Sequence, residues 1–363
     1  MRLGNQTYSK ADVLRRVGNL SQIGGTRHYT LAEGRAKSVA AIDVDSGAGL
    51  YFTIVPDRGL DISAATYKGT NLVFRTPNGE VHPSYYEPAG GGWLRTFFGG
   101  LLTTCGLTFL GSPGKDGDED LGAHGRASTT PALRVCDLSR WQDDEYIIEV
   151  SGVMEDSFVF GDKMRLTRTI STRLGATSLT IHDTVQNLGY RPSPFTILYH
   201  INPGFPLLNA SSKVVVSAVE STPYDEVSAK GMERMLDCSA PVPGWGEQNF
   251  LHRVRGDAGG KALAAMINPD LGGGLGLAIS FDAHALPYLT HWKMVGEGDY
   301  VVALEPCNVP CENRASLRKK KLLPFLAPGE TRDITLEIGV LDGAQEIKQF
   351  EERVRTINGG AKP

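Results

Sequence analysis

Residues 146–185 contain three alternating runs, Tyr146-Ile-Ile-Glu-Val-Ser-Gly-Val153, Met164-Arg-Leu-Thr-Arg-Thr-Ile170 and Ser178-Leu-Thr-Ile-His-Asp-Thr-Val185. In each run apolar and polar side chains alternate, which is the pattern of a β-strand with one buried face. The runs follow each other so closely that antiparallel pairing into a meander is the natural arrangement. This stretch predicts an antiparallel β protein.

The same alternation continues on both sides of this meander. Further runs are found at residues 49–55, 213–217, 275–281 and 333–340, and 43 glycines and 20 prolines punctuate the chain. Short strands at regular intervals favour a sandwich or barrel over βαβ units. We predict an all-β fold, a large antiparallel β-sandwich, as a single domain over residues 1–363.

Helix is predicted mainly near the two ends. Residues 1–30 read as a helical or edge extension, in which Ser9 could cap a helix from Lys10 to Leu20. Residues 343–357 read as a C-terminal helix with Ile347, Phe350 and Val354 on one stripe. The acidic, glycine-rich segment 111–122 reads as a solvated loop.

Composition excludes several classes of function. Lys+Arg 37 against Asp+Glu 41 leaves no basic surface for nucleic acid, and no stretch is apolar for long enough to span a membrane. No signal peptide and five scattered cysteines favour reduced thiols in the cytoplasm. No nucleotide-binding motif or serine-hydrolase motif is present, and Cys307 and Cys311 lack a second metal-binding pair. We expect neither a metal nor a cofactor.

The strongest candidates for chemistry stand where apolar runs end. Glu305 follows Tyr300-Val-Val-Ala-Leu, and His200 follows Phe195-Thr-Ile-Leu-Tyr. A carboxylate and an imidazole on rigid strands are suited to moving protons on and off a small neutral molecule. Trp292 and Lys293 could form a sugar platform, with an aromatic face for the ring and a cation for its hydroxyls. Arg58 could clamp a substrate or form a buried ion pair with Asp57 or Asp61.

Several blocks of the chain resemble one family. They are Val55-Pro-Asp-Arg-Gly-Leu-Asp-Ile62, Phe98-Gly-Gly-Leu-Leu-Thr-Thr-Cys-Gly106, Ala123-His-Gly-Arg-Ala-Ser128, Leu198-Tyr-His-Ile-Asn-Pro-Gly-Phe-Pro206 and Trp292-Lys-Met-Val-Gly-Glu-Gly-Asp-Tyr-Val-Val-Ala-Leu-Glu-Pro306. The chain resembles the aldose 1-epimerase (galactose mutarotase-like) superfamily, in a branch catalogued as a domain of unknown function. The resemblance implies the family's large antiparallel β-sandwich.

The resemblance also implies roles for individual residues. Glu305 would be the catalytic base and His200 the catalytic acid of a cofactor-independent mutarotase, which interconverts sugar anomers by opening the ring. Proximity to Glu305 would raise the pKa of His200. The residues expected to bind the sugar are His124, Arg95, Arg58, Arg126, Asn202, Trp292 and Lys293.

Three alternatives stay open at this stage. The protein could be another sugar enzyme on the same scaffold, such as a lyase or a ketose or uronate isomerase, with Arg58, Arg95 and Arg126 to neutralise an acid. It could be a hexose-phosphate mutarotase with an arginine cluster, or a carbohydrate-binding protein without catalysis. The partner is expected to be a small sugar or sugar derivative. The sequence leaves the sugar and the oligomeric state open, a homodimer being one option.

Overall fold

The three alternating runs pair with one another in the structure, a computed structural model that describes residues 1–4 and 6–359. Val150 lies opposite Ile170, and Ile170 lies opposite Ile181, in an antiparallel register. All three side chains are buried, and their polar neighbours along the strands point away from the core. The period of two in the sequence therefore sets which face of this meander is buried.

Strands account for most of the regular structure. In chain order they are β1 (Arg2–Leu3), β2 (Gln6–Thr7), β3 (Gly25–Thr30), β4 (Ala40–Asp45), β5 (Leu50–Val55), β6 (Asp61–Tyr67), β7 (Thr70–Asn71), β8 (Thr103–Leu107), β9 (Gly114–Asp116), β10 (Glu119–Leu121), β11 (Leu133–Asp137), β12 (Arg140–Gln142) and β13 (Glu145–Ser157). They continue with β14 (Lys163–Arg173), β15 (Ser178–Asn187), β16 (Ser193–Pro194), β17 (Thr196–His200), β18 (Lys213–Val216), β19 (Ala218–Pro223), β20 (Gln248–Val254), β21 (Lys261–Asn268), β22 (Leu275–Asp282), β23 (Tyr288–Val295), β24 (Tyr300–Cys307), β25 (Phe325–Leu326) and β26 (Thr331–Asp342).

The strands build three main antiparallel sheets. Within the described residues, nine strands follow the order β11-β13-β14-β15-β26-β22-β21-β18, with β12 joined to β13. Six strands follow the order β19-β20-β23-β24-β17-β8, and five follow β3-β4-β5-β6-β7. Backbone bonds between Ile62 and Leu102 connect β6 to β8. A hydrophobic core extends from Ile42 to Val340 and draws residues from all three sheets. This is the antiparallel β-sandwich predicted from the sequence.

The α-helices are short, as expected, although two of them lie in connections. They are α1 (Lys10–Leu14), α2 (Glu226–Ala229), α3 (Arg314–Lys319) and α4 (Ala344–Ile357). The stripe of α4 is buried as predicted, against β18, β21 and β22. Ser9 caps α1, but this helix ends at Leu14 and not at Leu20, and a separate 3-10 turn, capped by Asn19, follows at Leu20–Gln22. None of the helices in the described residues has the length and apolar character needed to cross a membrane.

The acidic segment 111–122 is largely exposed, as expected from its composition, but it is not an irregular loop. It folds into the β9–β10 hairpin, in which the Asp116 carboxylate is bound by both Arg314, at 2.6 Å, and Arg318, at 2.8 Å. Arg314 is almost fully buried, and its other guanidinium nitrogen bonds Glu119 at 2.6 Å. Ion pairing with α3 therefore holds this hairpin against the sandwich.

Candidate active site

Strand pairing brings Glu305 and His200 together. β17 lies beside β24, with Leu198 opposite Cys307, and a bridge between Ile201 and Leu304 continues the pairing. His200 is the last residue of β17, and its Nε2 lies 3.3 Å from Oε1 of Glu305. Both side chains are buried, with exposed fractions of 5% for His200 and 2% for Glu305.

A close backbone approach places His124 beside this pair. The following residue, Gly125, has a positive φ of 78°, and a Cβ atom there would lie 2.1 Å from the Gly106 carbonyl oxygen. Only glycine allows the segment to lie so near to β8. The His124 ring lies with its centroid 6.1 Å from that of His200, and part of this side chain faces the open cavity.

Aromatic rings surround His200. The ring of Phe97 lies 5.1 Å from the imidazole between centroids, and Trp292 presents an edge-on contact at 5.5 Å. Trp93 stacks on Phe97 at 4.6 Å and fixes its own indole by donating from Nε1 to Ser128 Oγ at 3.1 Å. These rings exclude water from one side of the imidazole.

The space in front of these groups is a cavity of ≈ 270 Å³. Its walls come from the 91–97 segment, the 111–113 turn beside the β9–β10 hairpin, the start of α2, and strands β20, β23 and β24. This volume lies near the lower end of the range for ligand pockets, which suits a small molecule. The floor contains His200 and Glu305, and Trp292 forms part of the wall.

Burial changes the proton affinities of the floor residues. Loss of solvation raises the pKa of Glu305 well above its usual value, with a further contribution from the charge of Glu247. Burial lowers the pKa of His200 to about 3, and proximity to His124 adds to the effect. Burial lowers the pKa of His124 to about 4. The raised pKa expected for His200 is therefore wrong, because burial of the imidazole disfavours its charged form.

Several buried polar atoms of the site have no hydrogen-bond partner among the described residues. They are Oε1 of Glu305, Nδ1 of His200 and Nδ1 of His124. Leaving a buried polar atom unpaired costs about 1–3 kcal/mol. Of the residues that carry these atoms, Glu305, His200 and His124 all line the cavity.

Two of the predicted sugar-binding residues accompany this cluster. Trp292 lines the cavity and is half-buried. Asn202 is fully buried and lies behind His200, where its amide donates to the His200 carbonyl at 2.8 Å and to the Gly100 carbonyl at 3.0 Å. Asn202 therefore positions the end of β17 and does not line the cavity.

The structure does not bring Arg58 into the site. Its guanidinium is buried and donates to three backbone carbonyls, those of Ser128, Val81 and Thr96, at 2.7–2.8 Å. The suggested ion pair is also absent among the described contacts, because Asp61 binds Arg168 at 2.7 Å and Asp57 accepts from the Ala40 amide. Arg58 ties three chain segments together.

Three further cations predicted to bind the substrate lie elsewhere. Arg95 is mostly exposed and pairs with Glu87 at 3.3 Å. Arg126 lines a different cavity, of ≈ 300 Å³, beside the β13–β14 turn. Lys293 follows Trp292 on β23, and alternation along a strand turns it to the opposite face. There its ammonium donates to the carbonyls of Arg234 and Asp237.

The structure adds cavity residues that sequence reasoning missed. Glu247 accepts a bond of 3.0 Å from Nε1 of Trp292, and Asp225 and Asn249 stand on the same wall. Thr290 and Cys311 complete the lining next to Glu305. Alternation could have identified Thr290, which is two residues before Trp292 on β23. No sequence signal marks Glu247, which precedes β20 in an irregular segment.

The sequence of this chain matches a known protein family. Residues 36–340 match the model of a family described as "Domain of unknown function (DUF4432)". The chain belongs to this family. The match covers every strand that contributes to the site, from β8 to β24. No functionally curated protein matches the sequence.

Solved structures share the fold of this DUF4432 protein. A protein from Klebsiella pneumoniae named as a candidate aldose 1-epimerase superposes with a TM-score of 0.89 at 24% identity, over 95% of this chain and 92% of that one. A galactose mutarotase-like protein from Clostridium acetobutylicum gives 0.59 at 16% identity, over 88% and 99%. The galactose 1-epimerase of Lactobacillus acidophilus gives 0.57 at 14% identity, over 88% and 99%. At these identities the likeness establishes the galactose mutarotase-like fold.

Proposed function

We propose that this DUF4432 protein is an aldose 1-epimerase-type enzyme that interconverts the anomers of a small sugar. The observation that carries the proposal is the approach of His200 Nε2 to within 3.3 Å of Glu305 Oε1 on the floor of a cavity. An acid and a base at this separation can act on two oxygens of one pyranose ring, its anomeric hydroxyl and its ring oxygen.

The proposed chemistry needs one proton on the Glu305–His200 pair. One partner takes the proton of the anomeric hydroxyl while the other donates a proton to the ring oxygen, and the C1–O5 bond breaks to give the open aldehyde. Rotation about the C1–C2 bond exposes the other face of the carbonyl, and closure returns both protons. Each positioned acid or base contributes about 10²–10⁴-fold.

The two pKa directions suggest which partner starts as the acid. With the pKa of Glu305 raised and that of His200 lowered to about 3, the neutral pair carries its proton on Glu305. Glu305 then donates to the ring oxygen and His200 accepts, the reverse of the order that the family resemblance implies. Ring closure by the reverse transfers restores the starting state in either order.

The rest of the cavity would bind and orient the sugar. The indole of Trp292 offers an apolar face for the C–H groups of the ring. His124, Thr290 and Asn249 line the cavity and offer hydrogen-bonding groups for hydroxyls. A uronate lyase is less well supported, because the arginines that were to neutralise the acid do not line this cavity.

The test is anomer exchange followed by proton NMR across a panel of aldoses. We expect Glu305→Gln to reduce exchange by at least ~10² while sugar binding, followed by the fluorescence of Trp93 and Trp292, persists. His182→Asn is the control, because this histidine is exposed on β15 and remote from the cavity. If Glu305→Gln exchanges every sugar at the wild-type rate, the carboxylate is not catalytic and sugar binding without catalysis becomes the better explanation.

A further inference from the structure

The cavity in front of Glu305 has an unusual distribution of charge for a sugar site. Among the described residues that line it, three carry carboxyl groups, namely Asp225, Glu247 and Glu305, and none is lysine or arginine. Sugar phosphates and uronates carry negative charges that proteins usually bind with arginine or lysine. Arg95, one of the cations predicted to bind the substrate, instead pairs with Glu87.

Glu247 is held at a defined position within this wall. Its Oε2 accepts a bond of 3.0 Å from the Trp292 indole, and the same indole makes the edge contact with His200. The Glu247 side chain is exposed to solvent and lines the cavity that a sugar on the floor would occupy. Asp225 has a separate task, because it caps α2 by accepting from the amide and hydroxyl of Ser228 at 2.7 Å.

We propose that Glu247 sets the charge selectivity of this cavity, so that its substrates are neutral or amino-bearing aldoses and anionic sugars are rejected. The proposal rests on the proposed mutarotase function and names the class of substrate for that site. The repulsion acts across a solvated cavity, so we expect discrimination of roughly 10-fold at low salt and less at high salt.

Glu247 also acts on the acid–base pair. Its negative charge disfavours ionisation of Glu305, in the same direction as burial. The titratable groups around Glu305 are His200 from β17, His124 from the 123–126 segment, Tyr224, Asp225 and Glu247 of the cavity wall, and the thiols of Cys105, Cys307 and Cys311. Of these, Glu247 is the carboxylate whose charge raises the pKa of Glu305, so its removal should lower that pKa.

The experiment measures kcat/KM for anomer exchange by NMR with glucose, galactose, glucosamine, glucose 6-phosphate and glucuronate, with the uncatalysed rate subtracted for each. The wild-type protein should favour the neutral and amino sugars over the anionic ones by about 10-fold, and 1 M NaCl should reduce this ratio. Glu247→Gln should bring the ratio of kcat/KM for neutral sugars to kcat/KM for anionic sugars close to one. In the pH profile of kcat/KM, the same change should move the inflection assigned to Glu305 to lower pH. Glu247→Asp, which keeps the charge, should keep most of the selectivity.

Glu297→Gln is the matched control. Glu297 is an exposed carboxylate in the β23–β24 turn, away from the cavity lining. Its replacement by Gln changes the net charge of the protein by the same amount as Glu247→Gln. The Glu297→Gln variant should show the same ratio of kcat/KM for neutral and anionic sugars as the wild type. Equal activity of the wild type on neutral and anionic sugars, or an unchanged ratio in Glu247→Gln, would overturn the role of Glu247 while leaving the mutarotase proposal intact. Absence of exchange with every sugar would overturn the mutarotase proposal and this inference with it.

Discussion

At the scale of single residues, the chemistry proposed for Glu305 and His200 depends on the burial of both side chains. The rings of Phe97, Trp93 and Trp292 shield the imidazole from water, and Nε2 of His200 lies 3.3 Å from Oε1 of Glu305. In the proposed mechanism the two groups act together in one proton-transfer cycle. Effects of substituting such residues are therefore not additive.

The first prediction concerns this coupling. We expect His200→Asn and Glu305→Gln each to reduce anomer exchange by at least ~10², and the double variant to lose far less than the product of the two losses. The measurement is the exchange rate at saturating sugar for the four proteins of the cycle. Losses that multiply would mean that the two side chains act independently.

The second prediction separates structure from binding at Arg58. Arg58→Met leaves the carbonyls of Ser128, Val81 and Thr96 without their buried donor, and each unpaired group costs about 1–3 kcal/mol. We expect the free energy of unfolding to fall by at least ~3 kcal/mol in urea titrations, while the KM of the folded enzyme stays within about twofold. A raised KM at unchanged stability would restore the substrate-clamp hypothesis.

At the scale of elements, the β9–β10 hairpin depends on α3. Asp116 lies between Arg314 and Arg318, and Arg314 is as buried as a core residue. The turn at 111–113, which forms part of the cavity wall, leads directly into this hairpin. Ion pairs between two peripheral elements thus shape the cavity.

The third prediction tests this anchor. Arg314→Met leaves the Asp116 carboxylate buried with one fewer cation, and breaking a buried pair in this way costs about 3–5 kcal/mol. The control is Lys68→Met, because its pair with Asp342 is largely exposed and should contribute only ~0–1 kcal/mol. Urea denaturation of both variants gives the comparison. Equal losses of unfolding free energy in the two variants would show that burial of Arg314 does not strengthen its ion pair.

At the scale of the whole molecule, buried ionisable groups make stability depend on pH. Burial lowers the pKa of His124 to about 4, of His200 to about 3 and of His252 to about 4, and it lowers the pKa of His291 well below its usual value. Two buried carboxyls oppose them, since burial raises the pKa of Asp61 to about 6 and that of Glu305 well above its usual value. The histidines outnumber the carboxyls.

The fourth prediction follows from the sign of this balance. Below pH ~6.5 the unfolded chain protonates the four histidines, whereas the folded protein keeps them neutral until about pH 4. The stability that they contribute is therefore complete above pH ~6.5 and is lost as the pH falls, and the two carboxyls offset only part of the loss. We expect the free energy of unfolding to drop by a few kcal/mol, on the order of 1–2 per pH unit, between pH 7 and pH 5.

The measurement is urea denaturation at a series of pH values. His291→Gln should make the slope shallower, because it removes one group that takes up a proton on unfolding. Its hydrogen-bond neighbour His252 keeps a second partner, Ser221, at 2.7 Å. A stability that rises as the pH falls from 7 to 5 would contradict the buried, neutral state of these histidines.

The sequence by itself determined the features that depend on local periodicity. Alternation with a period of two predicted the β13–β14–β15 meander, and the spacing of Ile347, Phe350 and Val354 predicted the buried face of α4. The recognised blocks also contained Glu305, His200 and His124, which the structure places around one cavity.

Only the tertiary structure decided which side chains reach that cavity. Glu247 accepts a hydrogen bond from Trp292 across 45 residues of sequence, and Arg58 donates to three carbonyls that lie 23, 38 and 70 residues away. The pKa of His200 is lowered by burial, and the rings that bury this side chain come from separate segments of the chain. Periodicity fixes the face of a strand, but burial and partner choice arise from long-range packing, which no local pattern encodes.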